Sequence, residues 1–215
     1  AGTGTTTITI NPTNNLASLT GYYLSIDATA FDDNAGNSYA GIANATTLNF
    51  TSADIVAPTL SSSTPSDNAT GVAVDANIVL TFSEAVDVES GNITIKKSSD
   101  NSTVESIDVT SSLVTGSGTN QITINPTNNL ASLTSYYLNI DATAFDDNAG
   151  NSYAGITDAT TLNFTSADVD APTIIFDPAN SSNNVAITSN ITLTFNEAIR
   201  NTDDSLLTDS NVDSL

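Results

Sequence analysis

The chain has 215 residues and lacks Cys, His, Met and Trp, and its three basic residues face 24 acidic ones, for a net charge of −21. Without His or Cys there is no Ser-His-Asp or Cys-His nucleophile system, no typical zinc site and no disulfide framework. The negative charge would also repel nucleic acid and anionic membrane surfaces. Carboxylate and amide oxygens remain, and these suit hard cations such as calcium.

The chain opens within a repeat. Residues 8–54 return almost unchanged as residues 122–168, an offset of 114, and extending the alignment back to residue 1 leaves eight differences. The phrase that begins at Ala57 returns from Ala171, and its offset falls from 114 to 113 by the run LTF, because one residue is deleted after Ala-Pro-Thr. A fixed period of this length predicts an array of domain-sized modules. The predicted organisation is the back half of a repeat (1–53, the first segment), a complete repeat (54–167) and the front part of another (168–215, the final segment).

Within the complete repeat, hydrophobic residues alternate with polar ones, and Gly, Pro, Asn, Asp and Ser separate the runs. This pattern predicts short β-strands joined by turns, with almost no helix. A strand follows Pro58, a turn cluster occupies residues 65–71, and the next strands are ANIVLTF and NITIKK. A weaker strand at 104–109 and a Gly-rich turn precede the strand QITI. The predicted inward residues of the two central strands are Ile78, Leu80, Phe82, Ile93 and Ile95.

The run NLASLTSYYLNI carries a more specific pattern, in which Leu130 is followed six residues later by Tyr136 and then by Leu138 and Ile140. This spacing resembles the tyrosine corner that enters strand F of Ig-like sandwiches. The loop FDDNAGNSYAGI then leads to the last strand, TTLNFTS, with Leu162 and Phe164 inward. Seven short strands in one period predict an all-β fold of tandem Ig-like β-sandwich domains.

Taken in order, TPSDNATGVAVDANIVLTFSEAVD, the Leu-to-Tyr corner, FDDNAGN and LNFTSAD resemble the bacterial Ig-like (Big-type) repeat of long extracellular surface proteins and adhesins. The resemblance implies a secreted, modular and non-catalytic protein, and it identifies no ligand. The end of the chain departs from the pattern, because residues 200–215 show no clear counterpart of the strand NITIKK.

Three functions fit these features. The first is a stalk, fibre or adhesin shaft built from tandem repeats, outside the cell and without enzymatic activity. The second is a module that binds a glycan or a surface protein, for which Tyr23, Tyr39, Tyr137 and Tyr153 are candidates. The third is a subunit that assembles head to tail with identical chains, because the first and final segments together lack only a small part of one domain. A segment cut from a longer chain is the simpler explanation of the two partial repeats.

Two acidic patterns are candidate calcium ligands. The loop FDDNAGN, at residues 145–151 and again at 31–37, surrounds a Gly with carboxylate and amide oxygens, either to hold calcium or to close a tight turn. Glu84 and Glu197 occupy parallel positions at the end of a predicted strand, either as metal ligands or as acceptors for backbone amides.

Strand direction in an Ig-like domain brings the B–C loop, the F–G loop and the N-terminal linker to one end of the sandwich. Many oxygens without a basic partner would then converge, so we expect calcium to bind there and to stiffen the array. The predicted ligands are Asp54, Glu84, Asp87, Glu89, Asp146, Asp147 and Asn151 in the complete repeat, Asp32, Asp33 and Asn37 in the first segment, and Asp168, Asp170 and Glu197 at the following junction.

Overall fold

A computed structural model describes residues 4–206 and residue 208 of the chain. Its regular elements are all β-strands, and they fall into two compact units, Ala1–Ala167 and Asp168–Leu215. No helix in the described part of the chain is long and apolar enough to cross a membrane. The predicted all-β class is therefore confirmed.

The first unit contains the complete repeat and the first segment. Its strands are β1 (Gly21–Tyr23), β2 (Asn49–Thr51), β3 (Leu60–Thr64), β4 (Ala69–Val72), β5 (Ile78–Val88), β6 (Asn92–Lys97), β7 (Thr103–Asp108), β8 (Val114–Thr115), β9 (Thr119–Ile124), β10 (Ser135–Ile140), β11 (Phe145–Asp146) and β12 (Asn163–Ser166).

In the complete repeat these strands form two sheets. One has the order β4-β12-β10-β6-β7, and the other has the order β11-β5-β9-β8 with β3 also paired to β5. All pairs are antiparallel except β12 with β4. Side chains from both sheets join one hydrophobic core, as in an Ig-like β-sandwich.

The alternation of hydrophobic and polar residues in the sequence correctly predicts which side chains form the core. Ile78, Leu80 and Phe82 of β5 and Ile93 and Ile95 of β6 are all buried. Leu162 and Phe164 near the last strand are buried as well. These predictions are confirmed, because successive side chains of a strand point to opposite faces and only one face of each sheet meets the core.

The tyrosine corner is present in the structure. The hydroxyl oxygen of Tyr136 accepts a hydrogen bond from the backbone N–H of Ala131 at 2.9 Å. Tyr22 repeats the bond with Ala17 at 2.8 Å in the first segment. The bond ties the loop before β10 to the strand itself and so fixes where the chain enters the sheet.

Several strand boundaries differ from the prediction. The strand ANIVLTF continues to Val88, because β5 leaves regular pairing with β9 between Thr81 and Val86 and gains β11 as a new partner. Glu84 and Asp87 therefore lie on a strand and not in a loop. The turn cluster at 65–71 contains the start of β4, and the loop FDDNAGN contains β11.

In the first segment, β1 pairs with β2 in the same register as β10 with β12. The bridges Ile26↔Ile42 and Asp32↔Ser38 also have their counterparts 114 residues later. Residues 5–10, the counterparts of β9, are described but form no strand. The local structure of the back half thus persists without the sheets that surround it in the complete repeat.

The second unit contains one antiparallel strand pair, β13 (Ile174–Asp177) with β14 (Thr192–Phe195). β14 corresponds in sequence to part of β5, which is buried in the complete repeat. The predicted absence of a strand equivalent to β6 concerns residues 200–215, of which 207 and 209–215 lie outside the described residues.

Candidate metal centre

One cluster of carboxylates forms in the described part of the chain. Asp54, Glu84 and Asp147 each place a carboxylate oxygen within 4.8 Å of the other two. Asp147 is buried, and Asp54 and Glu84 are half-buried. These residues come from the linker, the B strand and the F–G region, which are the three places that Ig-like topology brings to one end of the sandwich.

Each carboxylate is positioned by a different element. Glu84 projects from the long strand β5, and Asp147 directly follows β11. Asp54 is held by a hydrogen bond from the Ser18 hydroxyl and another from the backbone N–H of Val56, both to Oδ1 at 3.0 Å. Ser18 is not recognisable from the sequence, because a Ser in so polar a segment gives no signal of its own.

The Asp147 carboxylate closes a tight turn. Its Oδ1 accepts hydrogen bonds from the backbone N–H groups of Ala149 and Asn151, and its Oδ2 accepts one from the Asn151 side chain, each at 2.8 Å. Gly150 has φ +85°, as the turn requires. Burial alone would raise the pKa of Asp147, but these hydrogen bonds outweigh it and lower the pKa.

The loop FDDNAGN therefore forms a tight turn that the Asp147 side chain closes. The turn does not use every acceptor site of this carboxylate. A carboxylate has about four acceptor sites, and the turn uses three of those on Asp147. Of the three hydrogen bonds, Oδ2 accepts only the one from the Asn151 side chain. Asn151 serves as a partner of Asp147, so its amide orients the carboxylate through a hydrogen bond.

The pKa of Glu84 shifts in the opposite direction to that of Asp147. Burial and then the charges of Asp147 and Asp54 raise its pKa above the usual 4.5. The folded state thus holds the Glu84 proton more tightly than the unfolded state does. Ionised Glu84 consequently lowers the stability of the fold at neutral pH, and this penalty disappears as the pH falls below about 4.5.

The other predicted ligands of the complete repeat lie outside the cluster. Asp87 and Asp146 are opposite each other on β5 and β11, and the Ser117 hydroxyl donates to Asp87 at 3.3 Å. Asp146 and Asp147 are neighbours, and neighbouring side chains of an extended chain point to opposite faces. Glu89 is exposed after the end of β5.

The first segment repeats the turn but lacks the cluster. Asp33 accepts the same three hydrogen bonds, from Ala35 and Asn37, and these lower its pKa. Asp32, Asp33 and Asn37 are all exposed. The counterparts of Asp54 and Glu84 would belong to a front half, and among the described residues this turn belongs to no group of three acidic side chains.

The second unit contains the front part of a repeat, which the first segment lacks. Asp168 and Glu197 are the counterparts of Asp54 and Glu84, and the Asp168 carboxylate accepts the backbone N–H of Asp170 at 3.2 Å. Within the described residues of this unit, Asp168, Asp170 and Glu197 join no group of three acidic side chains. Both halves of a repeat are needed to assemble the cluster.

Tyr137 and Tyr153, two of the four candidate residues for binding a glycan or a surface protein, are buried and offer no exposed aromatic surface. Tyr153 packs edge-on against Phe82 with ring centres 5.2 Å apart. Tyr137 is covered by the turn after β6, where its hydroxyl donates to Oδ1 of Asn101 at 3.1 Å. Tyr23 and Tyr39 are exposed, in the first segment.

Comparison with solved structures gives distant similarity. The structure described as "The crystal structure of CopC from Methylosinus trichosporium OB3b" aligns with 19% identity and a TM-score of 0.37 over 53% of this chain and 97% of that chain. The S-layer protein rSbsC(31-844) aligns with 18% identity and a TM-score of 0.34 over 57% of this chain and 15% of that one. No curated protein matches the sequence.

The bacterial Ig-like domain family matches the chain twice, over residues 54–166 and residues 168–213. The first match covers the complete repeat with its closed core, and the second covers most of the final segment. The resemblance drawn from the sequence motifs is confirmed. The chain belongs to the bacterial Ig-like domain family.

Proposed function

We propose that the chain is a structural segment of a long extracellular or cell-surface protein, in which Ig-like domains follow one another as a stalk, fibre or adhesin shaft. The observation that carries this proposal is the repeat itself, since residues 8–54 return almost unchanged as 122–168. Near-identity suits a role in which the number and spacing of modules matter more than the surface of any one module.

The chemistry of the chain supports a non-catalytic role. The sequence has neither His nor Cys, and the one acidic cluster of the described residues lies at the end of the sandwich. The partners in this proposal are neighbouring repeats, which meet end to end. A secreted or surface location agrees with the family.

We further propose that calcium binds at Asp54, Glu84 and Asp147. Calcium–oxygen distances of about 2.3–2.6 Å let two ligands of one ion lie up to about 5 Å apart, which fits the 4.8 Å limit of this cluster. Water and backbone carbonyls would complete the six to eight ligands that calcium takes. Because Asp54 belongs to the linker, a bound ion would fix the linker to the domain that follows it.

Thermal unfolding of the 215-residue chain in millimolar calcium and in chelator tests this proposal. We expect calcium to raise the stability by about 2.7 kcal/mol at a hundredfold excess over Kd. Glu84→Gln should abolish that response, and in chelator it should raise the melting temperature slightly, because it removes a carboxylate whose pKa is raised by burial and by two like charges. One substitution thus has opposite effects with and without the ion.

Glu89→Gln is the matched control, since it makes the same change of charge at an exposed residue outside the cluster. It should leave the calcium response intact. A melting temperature that chelation does not change would show that the cluster is only an acidic surface. Equal calcium responses in wild type and in Glu84→Gln would place any bound calcium elsewhere.

A further inference from the structure

The complete repeat receives the chain and releases it on two neighbouring strands. The chain enters from the linker through β3 and then β4, and it leaves the repeat from β12. β4 and β12 are adjacent in one sheet and run parallel, with Ala69 beside Phe164 and Val72 beside Ser166. Tension passed along the chain therefore acts on the repeat through this pair of strands.

The parallel direction decides how tension acts on the pair. The start of β4 and the end of β12 lie at opposite ends of the pair, so a pull between residues 54 and 167 draws the two strands past each other along their length. Hydrogen bonds between strands run across that direction, so they share the load and break nearly together. A pair that is opened from one end would instead lose its bonds one at a time, under a smaller force.

The strand before β4 is loaded as well. β3 pairs with β5 of the other sheet over Leu60–Thr64. Loss of the β3 pairing would release only the residues ahead of β4. Loss of the β4–β12 pairing would instead separate the front of the repeat from its last strand and open the core at Phe164, which is 2% exposed. The β4–β12 pair is therefore the main barrier to unfolding of the repeat under tension.

Further hydrogen bonds close this pair at both ends. Before β4, Oδ1 of Asp67 accepts hydrogen bonds from the backbone N–H and the side-chain amide of Asn163, at 3.0 and 2.8 Å. The backbone N–H of Asn68 donates to the Asn163 carbonyl at 2.7 Å. At the other end, the backbone N–H of Ala167 donates to the Val72 carbonyl, also at 2.7 Å. Bonds to a carboxylate are stronger than those between neutral groups, so the Asp67 side chain reinforces the loaded end of β4.

We propose that the parallel pair β4–β12 is a load-bearing clamp, which keeps the complete repeat folded under tension between residues 54 and 167, and that Asp67 strengthens it. Asp67 and Asn163 are 96 positions apart in the sequence, so their contact ties the front of the repeat directly to its last strand. The use of the clamp rests on the proposed function, because a shaft under tension loads its domains. The resistance to force itself rests on strand direction and on these hydrogen bonds.

Force measurement on single molecules of the 215-residue chain, held at its two termini, tests the role of Asp67. Unfolding of the complete repeat is recognised by the length of chain that it releases, about 3.3–3.6 Å for each of its 114 residues. Forced unfolding is governed by the unfolding rate. Asp67→Ala should raise that rate about tenfold at the same force, because two hydrogen bonds across the clamp are lost. Asp67→Asn keeps an acceptor oxygen for Asn163 and should recover most of this loss.

Asp141→Ala is the matched control. Asp141 is exposed like Asp67, and its Oδ2 accepts the backbone N–H of Asn92 at 2.8 Å, which ties β10 to β6, away from the clamp. Its unfolding rate under load should rise less than about threefold. The unfolding rate in urea, without load, is the reference for each variant. If Asp67→Ala and Asp141→Ala raise the rate under load equally, relative to their rates in urea, the assigned role of Asp67 is wrong.

Moving the points of attachment tests the shear geometry. The chain has no Cys, so Ser66→Cys and Ala159→Cys together give two unique sites, both exposed, ahead of β4 and β12 respectively. Force between these sites opens the pair from one end, and the repeat should unfold at about half the force or less. Equal unfolding forces in the two arrangements would overturn the clamp. The proposed shaft is tested separately, by the shape of tandem repeats in solution, so each proposal can fail without the other.

Discussion

Phe164→Ala is expected to lower the free energy of unfolding by about 3–5 kcal/mol, the usual cost of deleting a buried aromatic ring. Phe164 is 2% exposed and packs against Tyr136 with ring centres 6.0 Å apart. Its removal leaves a cavity between the two sheets, and rigid strands on both sides limit how far the cavity can collapse. Urea unfolding followed by circular dichroism measures the loss.

Phe50→Ala is the matched control, because Phe50 occupies the same repeat position in an identical local sequence. Phe50 is 48% exposed and stacks on Tyr22 with ring centres 5.9 Å apart, so its removal should cost about 1 kcal/mol or less at micromolar protein. Equal losses for the two variants would contradict this expectation, because they would require a core within the first segment itself.

Gly155→Ala should destabilise the complete repeat by about 3 kcal/mol. Gly155 has φ +76°, and an added Cβ would overlap the carbonyl oxygen of Ile140 and lie 2.9 Å from the backbone N of Ala142. Ile140 and Ile156 exchange two backbone hydrogen bonds across this point, at 2.8 and 2.9 Å. The backbone therefore cannot yield without breaking the end of β10.

Gly150→Ala separates the two causes of that loss. Gly150 has a similar φ of +85° but no atom within 4 Å of an added Cβ. Only the cost of the left-handed conformation remains there, about 1 kcal/mol. Thermal unfolding of both variants provides the comparison, and a Gly155→Ala melting temperature as high as that of Gly150→Ala would refute the claim of close backbone contact.

The features that the sequence predicts well are those set by local patterns. Ile78, Leu80 and Phe82 alternate with polar residues, so the buried face of β5 follows from the two-residue period of a strand. The tyrosine corner follows from the spacing of Leu130 and Tyr136, since the corner is itself a local hydrogen bond. Repeat boundaries likewise need nothing beyond the comparison of the chain with itself.

Features that depend on tertiary pairing cannot be predicted from local sequence patterns. β5 reaches Val88 only because β11 pairs with its end, which no local pattern near Val88 reveals. Tyr137 points away from the core yet is buried, because the turn that contains Asn101 covers it.

The acidic cluster is predictable from the sequence only in part. Ig-like topology correctly predicts that Asp54, Glu84 and Asp147 approach one another. It cannot select them from the other acids nearby, because selection depends on which face of β5 and β11 each side chain occupies. Asp87 and Asp146 lie on the same two strands and oppose each other outside the cluster.

Small-angle X-ray scattering from three tandem copies of residues 54–167 in calcium tests whether the repeats form an extended rod, since each copy has a closed core. A globule of that length would have a radius of gyration of about 20 Å. We predict a value well above this, with a maximum dimension that grows by the same increment when a fourth copy is added. A radius of gyration near the globular value, with no such increment, would contradict the assignment of this chain as an extended structural segment.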